Sequence, residues 1–279
     1  MKKLLFISTI AFASFLTSCN DDSETSSSED LVQELDIESE ATLESNFEDV
    51  DLIVGAGMET LSSAGGRVTR DVILDCATVT HDEENKKLII DYGEGCEGPG
   101  GRIRAGIIEI TYNEHRLIPG AFRQTTFVNF SIDDVQVEGT RRVDNVSESL
   151  EDNPTFSVTL TGGKLTFTDE TIATRDAERT RTWIRASNPL NDTTEVEGEA
   201  NGTKRDGVSY EMEIITRLVY KRACWSSGVF IPVSGIKQFT SGDNIAIVDY
   251  GDGTCDNEVT ITINGGEPFT KTITPRGRR

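Results

Sequence analysis

Thr155-Phe156-Ser157-Val158-Thr159-Leu160-Thr161-Gly162-Gly163-Lys164-Leu165-Thr166-Phe167-Thr168 is the stretch that decides the fold class. Phe156, Val158 and Leu160 alternate with hydroxyl side chains, the period of a strand that buries one face. Gly162-Gly163 reads as a two-residue turn closing a hairpin onto residues 164–168. Upstream, Val135-Gln136-Val137-Glu138-Gly139-Thr140 keeps the same period, as do residues 121–133 and the β-branched run 102–112. Downstream, residues 171–187 carry charge at alternate positions, with Arg179, Arg181 and Trp183 on one side, and read as a strand exposed on one face. Short strands recur at 210–218, 229–233, 245–250, 258–264 and 269–274. Strands that follow one another at hairpin spacing pair antiparallel. The prediction is an all-β antiparallel meander, either a curved open sheet or half-barrel, or two stacked sheets.

Upstream of this body the period changes to 3.6. Leu43, Phe47, Val50, Val54, Met58 and Leu61 form one stripe, predicting an amphipathic helix over residues 41–61 that packs on the sheet. Glu44, Glu48, Asp49 and Asp51 lie off the stripe and are expected to face water. Ser62-Ser63-Ala64-Gly65-Gly66 supplies turn chemistry to end the helix.

The N-terminus reads as an address. Lys2 and Lys3, an apolar run and small residues make residues 1–18 a secretory signal too short to span a membrane stably. Leu16-Thr17-Ser18-Cys19 resembles the bacterial lipobox, so Cys19 is the expected lipid anchor; several acyl chains on one residue hold a membrane where one chain does not. Residues 19–40 follow as a Ser/Asp/Glu stalk with too little apolar surface to fold. Its acidic start resembles the signal that exports lipoproteins of Bacteroidota to the outer face of the outer membrane, with a periplasm-facing anchor as the alternative. The chain holds 27 Lys+Arg against 48 Asp+Glu, a formal charge of −21. Fourteen acidic residues and no Lys or Arg lie between Cys19 and Gly66. That balance argues against nucleic acid, which needs a cationic stripe.

Ile89-Ile90-Asp91-Tyr92-Gly93-Glu94-Gly95-Cys96 and Ile247-Val248-Asp249-Tyr250-Gly251-Asp252-Gly253-Thr254-Cys255 repeat one pattern, each with an earlier Cys, Cys76 or Cys224. They imply an internal duplication, with β modules over residues 67–170 and 171–279. Four cysteines besides Cys19 in an exported chain form a disulfide framework. Of the three pairings, Cys76 with Cys96 and Cys224 with Cys255 respects the repeat. No Cys-x-x-Cys pair supports a thiolate metal site. Asp249, Asp252, Asp256 and Glu258 are a weak calcium candidate; the glycines at 251 and 253 stand where an EF-hand loop wants acids. The alternative is a tight turn with Asp holding the loop backbone.

Together, Cys19, the acidic stalk, the helix around Phe47-Glu48-Asp49-Val50, Asp91-Tyr92-Gly93-Glu94-Gly95-Cys96 with Gly98-Pro99-Gly100-Gly101-Arg102, Val137-Glu138-Gly139-Thr140-Arg141, and Asp249 to Asn257 resemble a Bacteroidota lipoprotein family of flavobacterial type. The resemblance implies location and architecture; no activity, catalytic residue or cofactor comes with it.

Only two His are present, His81 and His115, both in polar segments read as turns. Nucleophile elbows, phosphate loops and paired-His zinc motifs are absent from the sequence. The expectation is therefore a non-catalytic binding or structural β platform on the outer membrane, held by its lipid anchor. Its ligand would be a glycan or a protein, met by the aromatics Trp183, Tyr210, Tyr220 and Trp225. The alternatives are a half-barrel carrier of an apolar ligand, which needs an apolar cavity, and a carbohydrate-active enzyme, which needs only two carboxylates. Asp192-Thr193-Thr194 also fits a loose bacterial O-glycosylation pattern.

Overall fold

The structure is a computed structural model and describes residues 37–62 and 72–273. The expected signal 1–18, Cys19 and the stalk up to residue 36 lie outside the described residues.

The described residues begin with helix α1 (Ile37–Ser62), which starts four residues earlier than the apolar stripe predicts and inside the segment read as stalk. Fourteen strands follow: β1 (Thr78–Asp82), β2 (Lys87–Asp91), β3 (Cys96–Glu97), β4 (Ile103–Tyr112), β5 (Phe122–Ile132), β6 (Val135–Asn145), β7 (Thr155–Thr166), β8 (Ile172–Ile184), β9 (Thr193–Thr203), β10 (Ser209–Lys221), β11 (Ser234–Ser241), β12 (Asn244–Asp252), β13 (Glu258–Ile263) and β14 (Phe269–Thr272). They form one open antiparallel sheet in chain order, except that β3 pairs only with β4. The stacked-sheet alternative does not occur. The division expected at residue 170 falls in the turn between β7 and β8, which pair at ten positions.

The sheet is curled. Asp49 of α1 reaches Arg104 on β4, and Glu44 reaches Lys237 on β11. In a flat sheet those strands would stand seven spacings apart, roughly 34 Å. A helix about 10 Å wide touches both only if the sheet wraps around it. Leu43, Phe47, Val50 and Val54 of the predicted stripe are buried, joined by Ile53, against Leu88, Ile90, Ile108, Phe130, Leu160 and Phe239 of the concave face.

Gly162-Gly163 is not a turn. Both residues lie inside β7, where the register with β8 shifts between Leu160 and Gly163. A Cβ on Gly163 would stand 2.5 Å from the Arg175 carbonyl, and one on Gly139 of β6 would stand 2.9 Å from Gly163 Cα. The backbones approach too closely for any other residue, and a bulge there bends the sheet while both halves of β7 keep their inward face. Residues 229–233 are likewise not a strand: Val229 and Val233 pack on Cys224 beside Pro232, which has no N–H for a ladder. β9 has no counterpart in the sequence reading.

Both expected disulfides are present, Cys76–Cys96 and Cys224–Cys255. In each repeat the aspartate accepts from the glycine two residues on, Asp91 from Gly93 N at 2.7 Å and Asp249 from Gly251 N at 2.9 Å. Among the described residues no helix is long and apolar enough to cross a membrane.

Candidate functional site

The acidic flank of α1 does not face water as its pattern predicts. Asp49 accepts two hydrogen bonds from buried Arg104, at 2.9 and 2.7 Å. Asp51 accepts two from Arg141, both 2.6 Å, and a third from Arg181 at 3.2 Å. Glu44 accepts from Arg179 at 2.5 Å and meets Lys237 at 3.4 Å. Glu48 alone of the four is exposed. The cause lies on β8: its exposed face carries Asp176, Glu178 and Thr180, whereas Arg175 and Arg179 point inward to the helix. Burial pushes the Asp51 carboxyl up, but the Arg141 and Arg181 guanidiniums outweigh it and hold it at about 2. Burial likewise opposes ionisation of Glu44, and Arg179, Lys237 and Arg175 overcome it, leaving that carboxyl well below the usual range.

Helix polarity distinguishes the two ends of the sheet. Asn46 and Asp49 meet Arg102 and Arg104, where β4 begins. Met58 lies with Ala121, Phe122 and Asn145, where β4 hands over to β5 and β6 ends. The helix therefore enters at the end with short turns, of two, five, five, two and five residues after β5, β7, β9, β11 and β13. It points to the end with longer connections, of nine, nine, eight, twelve and five residues after β4, β6, β8, β10 and β12.

At this far end stand three of the four aromatics expected to form a platform. Trp183 and Tyr220 both pair with Thr194 of β9, so their side chains share one face about 10 Å apart across that threonine. Trp183 Nε1 donates to the buried carboxylate of Asp192 at 2.9 Å, and the Asp192 carbonyl accepts from Arg222 N at 3.0 Å. The Arg222 guanidinium lies 5.9 Å from the Trp225 ring centre. Trp225 is 46 % exposed and Leu190, on the adjoining connection, is 62 % exposed. The Cys224–Cys255 bridge holds the segment carrying Trp225 to the connection after β12. Half-buried Tyr220 faces the helix, where burial and the Glu48 and Glu44 carboxylates push its hydroxyl well up. Tyr210 is apart from this group and only 2 % exposed, stacked on Phe239; it is a core residue and offers no surface ring.

The calcium candidates are engaged locally. Asp252 accepts from Thr254, Asp256 from Glu258 N, and Asp249 from Gly251 N. Among the described residues no three His, Cys, Asp or Glu side chains gather as metal ligands. His81 lies in β1, not in a turn, with its Nε2 against the Tyr112 hydroxyl. Cys19 lies outside the described residues.

Sequence reading missed Leu190 and the inward arginines, and it named Asp192 only within a glycosylation pattern. Pro189 and Asn188, which cap the turn carrying Leu190, were the available signal. Comparison with known proteins returned no matching family model, curated sequence or solved structure.

Proposed function

We propose that the protein is a lipoprotein of the outer membrane, anchored through Cys19 and displayed at the cell surface, and that its β body is a non-catalytic binding module. Glycan is the ligand class favoured by the rim of Trp183, Leu190, Arg222 and Trp225: the exposed Trp225 ring, with half-buried Trp183 nearby, offers a face for sugar stacking while the Arg222 guanidinium meets hydroxyls. The observation that supports this reading most is placement. Helix α1 begins at the short-turn end, and the rim sits at the opposite end of the sheet. Loops on a rigid scaffold are where recognition residues concentrate. A lipid carrier would use the trough itself, and the apolar stripe of α1 occupying that trough weighs against it.

Both tryptophans of the chain lie at this rim, so tryptophan emission, excited selectively over the five tyrosines, reports on it. Titrating the protein with a panel of polysaccharides should shift the emission for at least one of them, and Trp225→Ala should weaken that binding at least tenfold. A flat response across the panel contradicts glycan binding. The anchor has its own check: Cys19→Ala should move the protein made in a lipidating host from the detergent phase to the aqueous phase.

A further inference from the structure

The geometry points to a buried site for one monovalent anion of chloride size between α1 and strands β6 to β8. A void of about 20 Å³ lies there, walled by Phe47 and Leu160, by the guanidiniums of Arg141, Arg175, Arg179 and Arg181, and by the carboxylates of Glu44 and Glu48. The Arg179 side chain is 6 % exposed. Its Nη1 donates to Glu44, but its buried Nε and Nη2 have no protein acceptor, and neither does the buried Nε of Arg181. Guanidinium donors left unsatisfied in a low-polarity interior are costly, so an acceptor in the void is strongly favoured.

The volume admits one small acceptor. The carboxylates at hand are Glu44, Glu48 and Asp51. Glu44 is engaged by Arg179 and Lys237, Asp51 by Arg141 and Arg181, and Glu48, exposed at the edge of the void, supplies none of the acceptors that those N–H groups lack. A water molecule would accept from the arginines and could donate to Glu44 or Glu48, but it brings no charge to a wall that holds four guanidiniums against two carboxylates. A halide accepts from all three N–H groups, donates nothing, and adds the negative charge that the guanidiniums at the wall attract. The ion would lock the helix to β8 and contribute to the stability of the trough.

The test uses the whole protein. Crystals in which bromide replaces chloride should show an anomalous peak within contact distance of Arg179 and Arg181. In solution, at equal ionic strength so that screening is matched, the midpoint of thermal unfolding in sodium chloride should lie roughly 2–4 °C above that in sodium gluconate. The difference should vanish in Arg179→Met and shrink in Arg179→Lys. Absence of the bromide peak overturns the proposal. A peak without any difference between the two salts marks an adventitious ion only, and overturns it too.

Discussion

Asp51 shows how one residue couples the helix to the sheet. Its carboxylate is the shared acceptor of Arg141 and Arg181, both inward side chains of the curled sheet. Removing it leaves two guanidiniums without their anion, and breaking a pair of this kind costs about 3–5 kcal/mol. Asp51→Asn should lower the urea midpoint accordingly. Acid should do the same by titration. The folded carboxyl sits at about 2, below its unfolded value near 3.9. Its contribution is therefore complete above about pH 5 and is lost as pH falls through 2, roughly 2–3 kcal/mol in all. Stability measured from pH 5 down to pH 2 should fall more steeply in the natural protein than in Asp51→Asn. None of this was legible locally. Acids on a helix flank read as solvated because their partners, Arg141 and Arg181, lie 90 and 130 residues away.

At the scale of elements, periodicity was a good guide where inward side chains are large. β5, β7 and β10 announce themselves through Phe130, Val158, Leu160, Met212 and Ile214, all buried. β9 does not, because its buried positions are the modest Val196 and Ala200, set among Glu, Thr and Gly. Gly162-Gly163 misled for a related reason: the same residue that permits a hairpin turn also permits close strand contact, and only the partner strand decides between them. The disulfide pairing was legible because the repeat fixed it. The bridge Cys224–Cys255 closes a separation of 31 residues and pins the segment with Trp225. On the chain-entropy model it contributes roughly 3–4 kcal/mol. Cys224→Ser with Cys255→Ser should lower the unfolding free energy by that amount and raise amide exchange across residues 222–233, while β4 to β7 keep their protection.

For the whole molecule, the decisive feature is direction. An open sheet wrapped on α1 has two unlike ends, and the polarity of α1 assigns the short turns to the side where that helix begins and the long connections, with both tryptophans, to the far side. The sequence contained the helix and most of the strands, but their relative direction depends on which inward residues meet which helical turn. The candidate rim was half legible for the same reason: Trp183, Tyr220 and Trp225 were named, whereas their gathering around Asp192 and Thr194 is a property of register. A distance measurement between spin labels tests this directly. In the chain carrying Cys19→Ser, a label at Glu59→Cys should lie closer to one at Ser187→Cys, on the connection after β8, than to one at Asp206→Cys, in the turn after β9. The two reporter sites stand roughly 35 Å apart along β9, so the order is easily resolved. The account predicts the shorter distance to 187; a shorter distance to 206 would contradict it.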